Sequence, residues 1–293
     1  MDTVRLLSFG ELLFDCFGDT HTLGGAPLNF AAYAALLGAE VDLASAVGTD
    51  ALGEEALRAV RALGIGTDTV ARHREHGTGR SIVSLGEDGS PTYSLLRDVA
   101  YDYIEPTPKE RTYDVFYFGT LALRSRHNRR TLQAILASHS FREVITDLNI
   151  RPPFYSEESI RTCLGAATVA KISDEELPTV TEALFGKRME PDTAAARLMA
   201  AYPHLHTVLI TLGAQGALAY TDKGRYACPA VPVHAISTVG AGDSFAATFL
   251  MNRLKGKDIP AALQAASAVA AYVVSQTGAI PSGIREHLAA ISF

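Results

Sequence analysis

Short apolar runs recur along the chain, and most are followed by a stretch whose apolar positions return every three or four residues. VRLLSF at 4–9 reads as a strand and APLNFAAYAALLG as a helix closed by Gly38. VDLASAV at 41–47 reads as a strand and EEALRAVRALG as a helix closed by Gly64. DVFYF at 114–118, EVIT at 143–146, ATVAKI at 167–172 and TVLIT at 207–211 continue the series, with helical stretches between most of them. AALQAASAVAAYVV at 261–274 reads as a buried helix. Continuous apolar strands alternating with helices predict an α/β fold, a mostly parallel sheet covered on both faces. In such a sheet a ligand lies in the crevice beyond the carboxyl ends of the strands.

Between about residues 71 and 105 the helical period fades. SIVSL and TYSLL there flank the connection GEDGSP, a hairpin signal rich in turn residues. A small β-structure inserted in an α/β domain predicts a lid; an edge hairpin without functional motion is the alternative. The chain shows no repeats, low-complexity tracts or linkers, so a single domain over 1–293, with a lid from about 12–22 and 71–105, accounts for it.

Composition narrows the function. Of 293 residues, 47% are hydrophobic and 20% charged, enough to bury a large core. The formal net charge of -6 argues against a general nucleic-acid surface, so a polyanionic ligand must be held by local devices. Cys16, Cys163 and Cys228 are odd in number and far apart, which argues against a disulfide framework. The start MDTVRLLSFGELLFD lacks the basic opening and cleavage site of a signal peptide, and no apolar run is long enough to span a membrane. A cytoplasmic location is the expectation.

The candidate chemistry gathers in ISTVGAGDSF at 236–245. Phe245, Phe249, Leu250 and Leu254 follow helical spacing, which puts Gly240, Ala241 and Gly242 at or just before a helix N-terminus. Amides there lack intrahelical partners and the dipole favours an anion, while small residues let a phosphate come close. Asp243 beside them reads either as a helix cap or as a general base for a hydroxyl attacking that phosphate. No G-x-x-x-x-G-K-[ST] motif occurs, and GAGDSF is a poor match to the dinucleotide fingerprint.

GELLFD at 10–15, GGAPLNFAAYAALLG at 24–38, VGTDALGEEAL at 47–57, DLNIRP at 147–152, KISDEEL at 171–177, TLGAQG at 211–216 and TVGAGDSF at 238–245 occur in that order. Together they resemble the ribokinase family of PfkB-type carbohydrate kinases over essentially the whole chain. The resemblance implies a ribokinase-like three-layer α/β/α fold with a small β lid, ATP as phosphoryl donor and Mg2+ as its metal. It implies Asp243 as catalytic base and Gly240, Ala241 and Gly242 as the anion hole. For the sugar it implies Asp15, Gly24, Gly25 and Asn29, with Arg97 and Arg151 as candidates for selecting the substrate. For the nucleotide it implies Lys171, Ser173, Thr211, Gly213 and Gly216, and Glu176 for the metal. Asp174 and Glu175 read as charges of a helix's first turn.

GELLFD, GGAPLNFA and DLNIRP together look most like bacterial fructokinases, so D-fructose is the first expectation. 2-Keto-3-deoxygluconate comes second, because the two arginines could grip a carboxylate, and ribose or a nucleoside third. A non-catalytic regulator binding sugar or nucleotide on the same fold remains a different-class alternative. A homodimer is compatible with the resemblance. RSRHNRR at 124–130 reads as a solvated helix start, and HREH at 73–76 and HLH at 204–206 lack zinc-site spacing. Cys16 beside Asp15 does not read as a reactive thiol.

Members of the resembled family often carry an Asp that helps bind an activating monovalent cation where this chain has Ser237; TGAIPS at 277–282 resembles the other half of that site. Weak or absent potassium stimulation is therefore expected. Turnover compared in potassium and choline chloride checks it, and a large gain in potassium refutes it.

Overall fold

The strand runs of the α/β alternation are buried on both faces, which makes the main sheet the interior of the molecule. The structure, a computed structural model, describes residues 3–85 and 91–291. In chain order its elements begin with β1 (Arg5–Phe9), β2 (Leu13–Phe17), β3 (Thr20–Gly24), α1 (Ala26–Leu36), β4 (Glu40–Gly48), α2 (Ala51–Ala62), β5 (Val70–His73), β6 (Gly79–Leu85) and β7 (Pro91–Leu95). They continue with β8 (Val115–Gly119), α3 (Arg126–Ser138), β9 (Glu143–Asp147), α4 (Glu157–Ala166), β10 (Val169–Ser173), α5 (Leu177–Phe185) and α6 (Pro191–Ala201). The last are β11 (Thr207–Thr211), β12 (Ala217–Thr221), β13 (Gly224–Cys228), α7 (Ala241–Leu254), α8 (Ile259–Val274) and α9 (Ile284–Ala290).

Among the described residues the main sheet has nine strands in the order β13-β12-β11-β10-β9-β8-β1-β4-β5. Pairing is parallel from β10–β11 through to β4–β5 and antiparallel only at β11–β12 and β12–β13. Successive side chains of a strand point to opposite faces, so two cores form. Leu6, Val115 and Tyr117 join one with α1, α7 and α8; Leu7, Phe9, Phe116 and Phe118 join the other with α3 to α6. This is the expected three-layer α/β/α arrangement. From β1 the chain first runs outward to β4 and β5, then returns to β8 on the other side of β1. That reversal opens a crevice at the carboxyl ends of β1 and β8.

A second sheet, in the order β3-β2-β6-β7, is built from the segments that interrupt the α/β alternation. β2 pairs parallel with β6, and β6 antiparallel with β7. The GEDGS connection at 86–90 lies outside the described residues. The separate sheet is narrower than the segment 71–105. Residues of β5 pair with β4 in the main sheet, and Tyr101 and Ile104 are fully buried against the body. The reason is Asn128, itself fully buried, whose amide donates to Tyr101 O at 2.7 Å and accepts from Ile104 N–H at 2.9 Å. The basic run at 124–130 is therefore a helix start whose Arg124 and Asn128 are structural: Ser125 caps α3, and Arg124 pairs with Asp102.

Helix α1 lacks a polar face; Ala26 through Ala34 are all buried, because the helix lies between the sheet and α7. Its Phe30 ring stacks on Tyr117 of β8 with centroids 4.0 Å apart and planes at 16°. Truncating Phe30 leaves a cavity in the layer that carries Asn29. Phe30→Ala is expected to lower unfolding free energy by about 3–5 kcal/mol. Urea denaturation checks this, as a fall in midpoint with an unchanged slope.

Candidate active site

The turn before α7 takes its shape from Gly240, the helix N-cap, which sits in the left-handed region at φ 81. A Cβ there would lie 2.7 Å from Ala279, so the loop 277–282 packs directly on the turn. Tyr33 donates from its hydroxyl to Ala279 O at 2.7 Å and holds that loop in place. The first-turn amides are not equivalent. Ala241 N–H donates to Thr238 O at 3.2 Å, whereas the N–H groups of Gly242 and Asp243 have no backbone acceptor among the described residues. Those two amides are the unpaired donors at the helix's positive end.

Asp243 makes no capping bond to its own helix. Its carboxylate is 8% exposed and accepts a hydrogen bond from Asn29 Nδ2 at 2.8 Å. The Asn29 Oδ1 has no partner within the described protein. Burial pushes the Asp243 carboxyl above the usual carboxylate range, opposed by the Asn29 hydrogen bond and then by Lys171 and Arg151. This is a buried, oriented carboxylate of raised basicity beside unpaired amides.

Five further charged residues lie around it. Glu11, just after β1 and 4% exposed, has its carboxyl pushed up to about 7, chiefly by burial. Lys171 of β10 donates to both oxygens of Asp147, at 3.2 and 3.0 Å, and both residues are buried. Burial works against the Lys171 ammonium, but Asp147, Glu176 and Asp243 outweigh it and hold its pKa above the ordinary lysine value. Arg151 is exposed, yet its charge lowers the carboxyls of Glu11, Asp15 and Asp243 together. Asp15 stands on β2, bonded by Ser81 and raised mainly by burial, with Gly24 packed beside its carboxylate. Gly25, at φ 117, has no room for a side chain because a Cβ would meet Glu11 O at 2.3 Å. Asp15, Gly24, Gly25, Asn29, Arg151 and Asp243 thus form one neighbourhood.

A second neighbourhood lies along the strand ends of β10 and β11. Glu176 accepts backbone N–H bonds from Ile150 at 2.5 Å and Ser173 at 2.8 Å, and Ser173 Oγ accepts from Glu176 N–H at 3.2 Å. Thr211 O accepts from Asp174 N–H at 2.9 Å, next to the turn through Gly213 and Gly216. Among the described residues no group of three His, Cys, Asp or Glu side chains is placed to hold a metal ion. With its carboxylate tied to two amides, Glu176 fits a hydrated divalent cation carried by a phosphate ligand better than an all-protein metal cage.

The cleft that Arg97 lines includes none of Glu11, Asp15, Asn29 and Asp243. Arg97 itself is exposed, its guanidinium 4.9 Å above the Phe154 ring, in an open cleft of about 520 Å³ that Arg124 and Arg129 also line. Two residues of the site escaped sequence reasoning. Glu11 lies inside GELLFD and Asp147 at the start of DLNIRP, and each is a carboxylate directly after an apolar strand core. An acidic residue at the carboxyl end of a central strand was the available signal.

The profile described as pfkB family carbohydrate kinase matches residues 2–286. A fructokinase of Solanum tuberosum is 28% identical over 308 residues, covering 94% of this chain and 92% of that protein. The crystal structure of a Vibrio cholerae O395 fructokinase with fructose, ADP and calcium bound superposes with a TM-score of 0.82. It is 24% identical and the match covers 98% of both chains. An aminoimidazole riboside kinase from Salmonella enterica, complexed with its riboside and an ATP analogue, gives 0.81 at 24% identity, over 97% of this chain and 98% of that one. These two structures establish the fold.

A carboxyl raised in the folded state holds a proton that the unfolded chain has lost, over the range from its ordinary value of 4.5 up to about 7 for Glu11. Stability that is present below the lower value is lost as pH rises through the upper one. Glu11→Gln removes that loss. The variant is expected to match the native protein at pH 4 and exceed it at pH 8, on the order of 1–3 kcal/mol. Thermal or urea unfolding at the two pH values checks this; equal stabilities at pH 8 contradict it.

Proposed function

The chain belongs to the PfkB family of carbohydrate kinases, and from that premise we propose that it transfers the γ-phosphoryl group of ATP to a hydroxyl of D-fructose. The observation that carries this reading is the buried Asp243, oriented by Asn29 at 2.8 Å and set beside the unpaired amides of Gly242 and Asp243. A base and an anion hole side by side are what phosphoryl transfer to an alcohol needs.

In this reading the sugar lies between Asp15, the Gly24 and Gly25 backbone, Asn29 and Arg151. The Asn29 amide gives its N–H side to Asp243 and keeps Oδ1 for a sugar hydroxyl. Asp243, made more basic by burial, takes the proton of the attacking hydroxyl. Gly240 turns the chain, and the amides of Gly242 and Asp243 receive the phosphoryl oxygens; Ala241 contributes the small side chain that keeps the approach open. Lys171, Ser173, Thr211, Gly213 and Gly216 border the nucleotide. The exposed Val231, Val233 and Ile236, in the segment before α7, offer apolar surface for its base. When bound, Mg2+ neutralises phosphate charge, and Glu176 would hold its water shell. Closure of the small sheet carrying Asp15 would exclude water, which otherwise competes as acceptor.

A neutral sugar is favoured over a keto acid by charge. Arg151 already faces three carboxylates, and Arg97 lies over Phe154 rather than beside them. The relatives named as fructokinases point the same way.

ADP release coupled to a dehydrogenase, run over fructose, ribose, 2-keto-3-deoxygluconate and nucleosides, is expected to give the highest kcat/KM with fructose. Asp243→Asn should lower kcat by about two to four orders of magnitude while nucleotide binding persists. Wild-type turnover in that variant overturns the assignment of the base, and a preference for the keto acid overturns the choice of sugar.

A further inference from the structure

Helix α1 begins without a cap of its own. Gly25, the N-cap, has no side chain to offer, no acidic residue stands in the first turn, and Pro27 carries no N–H. Ala26, the first helical residue, is buried, so its N–H needs an acceptor away from water. That acceptor comes from outside the helix. Glu11, just after β1 and 4% exposed, takes a hydrogen bond from the Ala26 N–H on its carboxyl.

The end of β1 and the start of α1 fit each other closely. Ser8 Oγ donates to Pro27 O at 2.7 Å, and a Cβ at Gly10 would lie 2.5 Å from Pro27 Cγ. A Cβ at Gly25 would lie 2.3 Å from Glu11 O and 3.6 Å from its Cγ, so the Gly24–Gly25 turn rests directly on Glu11. One turn further on, Asn29 N–H donates to Gly25 O at 3.0 Å, and the Asn29 side chain holds Asp243. Movement of the Glu11 carboxyl is therefore passed to the backbone turn and to the amide that a sugar would meet.

A carboxyl is a costly choice for this place. Glutamine has the same shape and could accept from Ala26, and Glu11→Gln is expected to be the more stable chain at pH 8. What the carboxylate alone adds is a full negative charge at the positive end of α1, where a charge-assisted hydrogen bond is stronger than a neutral one. Stability given up at a site is a mark of function. The groups facing Glu11 come from several elements. Asp243 of α7 opposes its charge and Arg151, after β9, favours it. Arg124, Tyr101 and Tyr117 of β8 also feel that charge, and both tyrosine hydroxyls are held neutral by burial.

We propose that Glu11 is a positioning residue for the sugar: its ionised carboxyl caps α1 from the end of β1 and holds the Gly24–Gly25 turn and Asn29 in sugar-binding geometry. Glu11 touches neither the phosphoryl group nor the attacking hydroxyl; it acts through the turn. This rests on the kinase reading above and adds to it a dependence of sugar affinity on one buried charge.

The test measures steady-state kinetics of the full chain with fructose and MgATP between pH 5.5 and 8.5, in the native protein and in Glu11→Gln. The Glu11 carboxyl, pushed up to about 7, is neutral at the acid end of that range and charged at the alkaline end. Native KM for fructose is expected to fall about 3–10-fold as pH rises, the scale of a charge at a helix end. Glu11→Gln should keep the native acid-end KM at every pH, so the two curves meet in acid and part above neutrality. KM for ATP should be the same in both, and the acid limb of kcat, which belongs to Asp243, should survive the substitution. A carboxyl that merely supports the fold would change stability and leave the fructose curves superimposed. A fructose KM in Glu11→Gln at pH 8 that equals the native value or lies below it overturns the proposal. If Glu11→Gln does not fold, Glu11→Asp takes its place. Shorter by a methylene, it withdraws the charge from Ala26 and should raise fructose KM at pH 8 by a similar factor; a native value there overturns the proposal equally. Asp243→Asn separates the two levels. An inactive Asp243→Asn beside superimposed fructose curves sinks only the role of Glu11, whereas a fast Asp243→Asn sinks the kinase reading with it.

Discussion

One buried hydrogen bond joins α1 to α7 at the candidate active site. Asn29 on α1 and Asp243 on α7 are 214 residues apart in sequence and 2.8 Å apart in space. The bond forms because α1 is apolar all round and packs between the sheet and α7, so its polar side chain has to find a partner in the interior. The packing fixes the bond, and the bond fixes the carboxylate. A buried Asp lacking such a donor would be neutral more of the time, and free to rotate.

Around that bond the fold solves an electrostatic problem. The crevice over the strand ends holds Glu11, Asp15, Asp147, Glu176 and Asp243, an unfavourable surrounding for a triphosphate. The compensation is local: Lys171 inside the β10 end, Arg151 facing the open side, and the unpaired amides of α7. An overall charge of -6 is thus no obstacle to an anionic substrate, because potential at the site is set over a few ångströms. Burial raises both Glu11 and Asp243, with the Asp243 charge a lesser contribution at Glu11.

The small sheet belongs to this arrangement through Asp15, which it carries above the Gly24 and Gly25 backbone. Its foot is anchored to the body by Asn128 and by the Arg124–Asp102 pair, the guanidinium of Arg124 lying 4.7 Å over Tyr101 and 5.0 Å over Phe154. Residues that look like a basic surface run in sequence are therefore the mounting of the second sheet.

Much of the fold was legible in the linear pattern. Strands such as VRLLSF and TVLIT, buried on both faces, and the helices closed by Gly38 and Gly64 have local causes: continuous apolar runs, a 3.6-residue period, and glycines at φ 97 and 79. So did the GAGD turn, because helix dipole, small residues and a following carboxylate are contiguous. What only tertiary structure decided depends on residues distant in sequence. That Asp243 bonds Asn29 instead of capping its helix, that Ala241's amide is already engaged, and that Arg97 rests on Phe154 all follow from how layers meet. The close approach of the Lys171 ammonium to Gly242 is set by a strand distant in sequence, and no local pattern carries that information. Periodicity encodes which face of an element is buried, whereas the partner it is buried against is chosen by close packing of the whole chain.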